Sequence, residues 1–113
     1  MPVSIAPQKL AELRLLGGDA LVSQLLAKFL ESSSSLIAQA EVALQSGDAA
    51  KVDFCVHTLK GSAMSLGLTE MSDLLVALNT RTKARQLEGM AADFTQLAVL
   101  LEAVRQYKAQ NFP

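Results

Sequence analysis

Apolar residues recur at steps of three and four along most of the chain, which is the spacing of one face of an α-helix. The pattern predicts a short opening helix that begins near Pro7 and ends at Gly17 and Gly18. A long second helix follows, and Asp19 is in position to cap its start. Its apolar stripe continues in phase across the four serines at 32–35. We therefore predict one helix through the serines, with a weak middle.

Three further helices follow from the same pattern and from its stop signals. Gly47 ends the second helix and Asp48 caps the third, which runs to about Leu66, where Gly67 ends it. Thr69 is expected to cap the fourth helix. The buried stripe of the fourth helix is Met71, Leu74, Leu75 and Leu78, and that of the fifth is Phe94, Leu97, Leu101 and Val104.

The segment TRTKARQLEG at 80–89 is polar and basic, and we predict that it connects the fourth helix to the fifth. Four substantial helices with short connections favour an all-α, up-down-up-down four-helix bundle, with the short N-terminal helix covering one end. The length of 113 residues suits a single domain over 1–113. Because such a bundle needs no partner to complete its core, we expect a monomer.

Composition and charge exclude several classes of function. The net charge of -1 gives no strong field for binding nucleic acid or an anionic membrane surface. The apolar runs are too short to span a membrane and the N-terminus does not resemble a secretory signal, so we expect a cytoplasmic protein. Cys55 and His57 are the only residues of their types and fall short of a zinc site. The GGD at 17–19 lacks the spacing and the lysine of a nucleotide-binding loop, so we expect no metal and no cofactor of the chain's own.

His57 is predicted to lie on the outer face of the third helix. At about 100° per residue, one set of apolar residues falls in an arc centred opposite the histidine. That set, the predicted core stripe, is Val52, Cys55, Leu59, Ala63 and Leu66. The residues within about 60° of the histidine are Asp53, Phe54, Lys60, Gly61 and Met64.

The composition of this outer face indicates chemistry at the histidine. A lone helical histidine is more often structural or a plain surface residue, but here apolar side chains surround it, as in a docking surface. Glycine inside a helix costs roughly 1 kcal/mol relative to alanine, and at Gly61 it would let another backbone approach His57. The Lys60 ammonium would attract an anion to the imidazole, and we expect that anion to be a phosphate. An exposed imidazole can act as a nucleophile, so we predict a phosphorylated histidine.

The stretch HTLKGSAMSLGL at 57–68 resembles the signature of histidine-containing phosphotransfer (HPt) domains. Such domains are four-helix bundles that relay phosphoryl groups between receiver-domain aspartates in two-component signalling. The resemblance implies that His57 accepts the phosphoryl group, Lys60 helps to hold it and Gly61 permits the close approach. Many members carry a Gln or Glu on the neighbouring helix that contacts the imidazole. By counting, Asn79 takes that place here, and its side chain is shorter.

The resemblance also implies the partners, which are receiver domains of response regulators or of hybrid histidine kinases. They would bring Mg²⁺, and this chain would be a phosphohistidine carrier without ATP-dependent kinase activity. We expect them to dock on the His57 face at Asp53, Phe54, Met64 and Leu68, with local packing as the alternative for Leu68. Arg81, Lys83 and Arg85 could add a basic rim or form a plain solvated connection. Two other functions stay open: a chemotaxis-kinase-type phosphate-accepting domain, and a helical adaptor that is not phosphorylated.

Overall fold

A computed structural model describes residues 3–113, and within that range the chain forms four helices. They are α1 (Pro7–Ser46), α2 (Ala49–Ser65), α3 (Thr69–Lys83) and α4 (Met90–Asn111). α2 packs against α1 and α3, and α4 packs against α1 and, over a smaller interface, against α3. Because the connections are short, consecutive helices run antiparallel. The prediction of an all-α, up-down-up-down bundle is confirmed.

The predicted short covering helix is the first part of α1, and the expected break is a sharp bend at Gly18. Gly18 has φ 67° and ψ -167°, a conformation open to glycine and strained for other residues. A straight helix of this length would measure about 60 Å, whereas the long axis of the molecule is 43 Å. Asp19 lies inside α1, where its carboxylate accepts a hydrogen bond from Arg14 Nε at 2.8 Å. The non-helical Gly18 separates two helical stretches, so the predicted break at Gly17 and Gly18 is confirmed. The predicted cap is not formed, because the Asp19 carboxylate accepts from Arg14 and from no backbone amide of the described chain.

The segment before α1 closes one end of the bundle over the connection between α2 and α3. Ile5 forms an isolated antiparallel bridge with Leu68, and the Ala6 amide donates to the Gly67 carbonyl at 2.8 Å. A Cβ on Gly67 would lie 2.8 Å from Lys9 Cβ, so the chain passes too close there for any side chain. The covering role predicted for the N-terminal region thus has a specific contact, the turn that follows the histidine helix.

α1 continues without interruption through the four serines, as the phase of its apolar stripe predicted. Ser33 lies in that stripe between Phe29 and Ile37 and is fully buried, while Ser34 and Ser35 face outward. A serine is small enough to fit between packed helices, so helical periodicity outweighs the weak propensity of the serine run.

The caps at the start of α2 and α3 differ from each other. Gly47 ends α1 with φ 74°, and the Asp48 carboxylate accepts the Lys51 amide at 3.1 Å, so both predictions for this turn are confirmed. At the start of α3, the N-cap position belongs to Leu68 and no side chain caps the helix. The predicted cap by Thr69 is wrong, because the buried Leu68 side chain anchors this turn in the core instead.

α3 is one turn longer than predicted, since Thr80–Lys83 are helical and the connection to α4 is confined to 84–89. Thr82 is fully buried, and this tertiary contact overrides the polar character of the segment. Arg81 donates to the Asp93 carboxylate at 2.7 Å and thereby joins α3 to α4. It is therefore part of a salt bridge between helices and not a residue of a solvated connection.

The core lies along the bundle axis, and the predicted core stripe of α2 faces it. Every member of that stripe is buried, and Val56, which the angular argument left out, is buried as well. The apolar stripes predicted for the last two helices lie in the same core, with Leu74 at its partly buried edge. No helix within residues 3–113 is both long and apolar enough to cross a membrane.

Candidate functional site: the His57 face of α2

The outer face of α2 carries the side chains that the angular argument placed there. His57, Phe54, Gly61 and Met64 are exposed, and Phe54 and Met64 keep 58% and 55% of their surface in contact with solvent. Large apolar side chains with that exposure surround a histidine that is accessible to a second protein. We call these four residues the His57 face.

Gly61 has no role in the packing of the chain itself. A Cβ built on Gly61 would meet no atom of the described chain within 4 Å, apart from its own helix backbone. Its φ is not in the left-handed region, so the backbone conformation does not require glycine either. The absence of a side chain therefore leaves open space one helical turn beyond the histidine, on the surface that a partner would approach.

A polar network beside the His57 face joins α2 to α3. Lys60 Nζ donates to Asn79 Oδ1 at 2.8 Å. Asn79 Nδ2 donates to Asp53 Oδ1 and to Thr82 Oγ1, each at 3.1 Å. Thr82 Oγ1 donates to Asp53 Oδ1 at 2.7 Å. We call these four residues the α2–α3 network.

Asn79 is 2% exposed and directs its amide at Lys60, not at the imidazole. Among the hydrogen bonds of residues 3–113, none involves the His57 side chain, so the suggested contact between Asn79 and the imidazole is not formed. Asn79 is one methylene shorter than glutamine, and both ends of its amide are bonded within the α2–α3 network. Its contact with a predicted motif residue is the hydrogen bond from Lys60.

Of the four residues expected to dock a partner, Leu68 is buried and Asp53 is only partly exposed. The Leu68 side chain is fully buried, so the docking prediction for this residue is wrong and the packing alternative is correct. The Asp53 side chain is 27% exposed and bonds inward to Thr82 and Asn79. Its use in docking stays a prediction.

The sequence reasoning missed Thr82 because it assigned residues 80–89 to a connection. A signal was present, since Thr82 follows Asn79 by three residues and therefore lies on the same face of α3. It also missed an open groove between α1 and α2, whose walls include Gly61 and Thr58. The other residues that line this groove are Leu13, Leu25, Lys28, Phe29, Glu31, Ser32, Ser35, Ser62, Ser65 and Leu66.

Cys55 is the second potential nucleophile of α2, and it lies on the opposite side of the helix from His57. It is fully buried, and burial raises the pKa of the Cys55 thiol, an effect that the nearby Lys51 ammonium partly opposes. A buried thiol with a raised pKa stays protonated and inert at neutral pH. His57 is therefore the nucleophile that a partner can reach on this helix.

Comparison with known proteins agrees with this geometry. The chain matches the family model described as "Hpt domain" over residues 24–107, and it belongs to that family. Its role is therefore histidine phosphotransfer in a phosphorelay. The match includes His57, Lys60 and Gly61, the residues on which the sequence resemblance depended.

Among solved structures, the chain is similar to the crystal structure of histidine-containing phosphotransfer protein B (HptB) from Pseudomonas aeruginosa. The TM-score is 0.85 at 24% sequence identity, and the alignment covers 94% of this chain and 91% of that chain. At this identity the likeness shows the fold. No curated protein sequence matches the chain.

Proposed function

We propose that His57 accepts a phosphoryl group from the aspartate of one receiver domain and passes it to the aspartate of another. The observation that carries this proposal is the exposed His57 beside the open space at Gly61, with the Lys60 ammonium held at the same edge of the helix. These are the three residues of the motif that the sequence resemblance depended on. His57 and Gly61 are exposed, and Lys60 is half-buried beside them, which supports the proposal.

In this reaction an unprotonated imidazole nitrogen, Nε2 by our expectation, attacks the phosphorus of the phospho-aspartate. A nitrogen–phosphorus bond forms, the bond from phosphorus to the carboxyl oxygen breaks, and the aspartate leaves as a carboxylate. The transition state is loose and anionic, so the protein contributes mainly positioning and charge. Lys60 would offset the negative charge of the phosphoryl oxygens. The reverse reaction returns the phosphoryl group to a second receiver.

We propose no metal or other cofactor for this chain, and we expect the receiver partner to bring Mg²⁺. The chain would act as a cytoplasmic, monomeric carrier without ATP-dependent kinase activity. Its partners would be receiver domains of response regulators or of hybrid histidine kinases. Phe54 and Met64 would supply apolar contact, and Gly61 would let the receiver backbone lie against α2. The groove between α1 and α2 continues from Gly61 and extends the surface available to the receiver.

The test is to incubate the protein with a phosphorylated receiver domain and Mg²⁺ and to measure transfer of labelled phosphate. We expect an acid-labile, alkali-stable label on the wild type and none on His57→Gln. Glutamine removes the nucleophile at an exposed position, so we expect this variant to fold like the wild type. Circular dichroism of the variant checks that it is folded.

Two results would replace this proposal with one of its alternatives. Label that arrives only from an ATP-binding kinase, and from no receiver, would favour a chemotaxis-kinase-type phosphate-accepting domain. A wild type that stays unlabelled with several receivers and with such a kinase would favour the helical adaptor. In that case His57→Ala would retain binding of the partner.

A further inference from the structure

We propose that Asp53 and Thr82 are positioning residues that act through Asn79 to hold the Lys60 ammonium beside His57. This inference rests on the proposed phosphotransfer function and assigns a role to residues outside the His-Lys-Gly motif. Its basis is the α2–α3 network, in which each hydrogen bond determines the direction of the next.

The order of donors and acceptors starts at Asp53, because a carboxylate can only accept. Thr82 has a single hydroxyl proton, and two acceptors lie within its reach: the Asp53 carboxylate at 2.7 Å and the Asn79 backbone carbonyl at 3.1 Å. The carboxylate is closer and charged, so the proton points to Asp53. The Thr82 oxygen is then free to accept from Asn79 Nδ2 at 3.1 Å. Asn79 Nδ2 also donates directly to Asp53 at 3.1 Å. Both contacts of the amide nitrogen are acceptors, so the carbonyl oxygen of Asn79 faces Lys60.

Burial makes this orientation difficult to reverse. Asn79 is 2% exposed and Thr82 is fully buried, so water cannot replace a lost hydrogen bond at either residue. A flipped amide would place its oxygen against the Asp53 carboxylate and its NH₂ group against the Lys60 ammonium. It would lose its hydrogen bonds to Asp53 and to Lys60, since acceptor would face acceptor and donor would face donor. The Thr82 hydroxyl could donate to the flipped oxygen only by giving up its bond to Asp53.

The carboxylate itself is held at both of its oxygens. Oδ1 accepts from Asn79 and Thr82, and Oδ2 lies 4.0 Å from the Arg85 guanidinium. Arg85 also donates to the Thr82 carbonyl at 3.2 Å and has a left-handed backbone, with φ 59°. The start of the connection that follows α3 thus covers the outer side of the network.

The consequence for the reaction concerns the freedom of Lys60. A lysine side chain has several rotatable bonds, and an unrestrained ammonium would sample many positions around the histidine. Asn79 takes one of its three N–H donors and leaves two for the oxygens of a phosphoryl group. A charge that is already in position requires little reorganisation when the transition state forms.

The test is a double-mutant cycle on Asp53→Ala and Lys60→Ala, measured as single-turnover transfer from a phosphorylated receiver. We expect Asp53→Ala to lower the maximal rate by about 10-fold, within the range of coupling between contacting residues. The receiver concentration for half-maximal rate should change by less than about 2-fold, as expected for a residue that acts through Lys60. In the Lys60→Ala background, Asp53→Ala should change the rate by less than about 2-fold.

Asp93→Ala is the matched control. The Asp93 side chain is 28% exposed against 27% for Asp53, and it also pairs with an arginine, but it makes no hydrogen bond to a member of the α2–α3 network. The maximal rate of Asp93→Ala should stay within about 2-fold of the wild type.

If Asp53→Ala unfolds at the assay temperature, Thr82→Val takes its place in the same cycle. This change removes one hydroxyl and keeps the shape of the side chain. Asp53→Asn keeps an acceptor oxygen and should restore most of the rate.

The outcomes separate this inference from the function on which it rests. An equal loss of rate in the wild-type and Lys60→Ala backgrounds would overturn the positioning role alone. A raised half-saturating concentration with an unchanged maximal rate would overturn it in favour of direct docking by Asp53. A wild type that accepts no phosphate from any receiver would overturn the proposed function, and the inference with it.

Discussion

At the scale of single residues, Gly61 shows how stability and function conflict at one position. Alanine at an interior helix position is more favourable than glycine by about 0.5–1 kcal/mol, and a Cβ on Gly61 would meet no other part of the chain. We expect Gly61→Ala to raise the free energy of unfolding by that amount, measured by urea denaturation. The same methyl group would occupy the space proposed for the receiver. The half-saturating receiver concentration in the transfer assay should therefore rise.

Gly17 is the control for this prediction, because it also lies inside a helix but in a crowded place. A Cβ on Gly17 would lie 2.7 Å from Leu21 Cβ, so Gly17→Ala should lower the free energy of unfolding and leave phosphotransfer unchanged. If Gly61→Ala bound and phosphorylated as readily as the wild type, the close approach of a partner at Gly61 would be contradicted.

Cys55 should give the stability a measurable dependence on alkaline pH. Burial raises the pKa of the folded thiol above the ordinary value of 9.0, with a smaller opposing effect from Lys51. As the pH rises through the ordinary value, the unfolded chain loses this proton while the folded chain keeps it. The unfolded state is then stabilised, and the free energy of unfolding falls with pH.

The measurement is urea denaturation of the wild type and of Cys55→Ala between pH 8 and pH 10 (about one unit either side of the ordinary thiol value). We expect the wild type to lose stability more steeply with pH than Cys55→Ala, since other titrating groups are common to both. Parallel curves would contradict the raised pKa. The native thiol should also react slowly with an alkylating reagent until the chain is unfolded.

At the residue scale, the sequence was sufficient for the histidine helix and insufficient for the α2–α3 network. The positions around His57 follow from 100° steps along one helix, which require no tertiary information. The contact between Lys60 and Asn79 depends on the register of α3 against α2 and on the choice between two amide orientations. Neither of those can be read from one sequence, and a role for Thr82 needed the additional turn of α3.

At the scale of helices, the capping residue Asp48 should have a clear effect on stability. Its carboxylate accepts the Lys51 amide at the start of α2, and loss of such a cap costs about 0.5–2 kcal/mol. We expect Asp48→Ala to lower the free energy of unfolding by roughly 1 kcal/mol. Asp48→Ser keeps a capping oxygen and should retain most of the stability that the cap contributes. Thermal and urea unfolding of the two variants provide the measurement.

Asp19→Ala is the comparison for this effect, since Asp19 accepts only from the exposed Arg14 side chain. An exposed pair of this kind contributes about 0–1 kcal/mol, so this variant should lose less stability than Asp48→Ala. Equal losses at the two positions would mean that the hydrogen bond to the Lys51 amide does not stabilise α2. The order of the two losses is the decisive result.

Helix boundaries were predictable where local chemistry decides them and failed where tertiary contacts do. Gly47 and Asp48 form a turn that depends on a left-handed glycine and on one carboxylate, and both are visible in the sequence. At Gly18 the glycine signal is likewise visible in the sequence, and a non-helical residue separates two helical stretches there, although no Asp19 cap accompanies it. At Thr80–Lys83 the burial of Thr82 extends a helix through polar sequence.

At the scale of the whole molecule, the core and the His57 face are on opposite sides of the same helix. The residues that hold α2 in the bundle point inward, whereas His57 and Gly61 make no contribution to the core. The bundle class was predictable because helical periodicity and short connections leave few other arrangements. The bend of α1 across the end of the bundle was predicted only as a covering helix, since its angle depends on the packing at Gly18.

This separation predicts that function and stability can be removed independently by changes two residues apart. His57 is exposed and makes no hydrogen bond to the described chain, so His57→Gln should change the free energy of unfolding by less than about 0.5 kcal/mol. Leu59 is fully buried, so Leu59→Ala should lower the free energy of unfolding by about 2–5 kcal/mol. Urea denaturation of both variants measures the two effects, and the transfer assay measures their activities.

We expect the folded fraction of Leu59→Ala to accept phosphate, because the Leu59 side chain points into the core and takes no part in the hydrogen bonds of the α2–α3 network. His57→Gln should be as stable as the wild type and inactive. A large loss of stability in His57→Gln would mean that the imidazole supports the fold, and its loss of labelling could then result from unfolding. A well-folded Leu59→Ala that failed to accept phosphate would mean that core packing under α2 determines the position of His57.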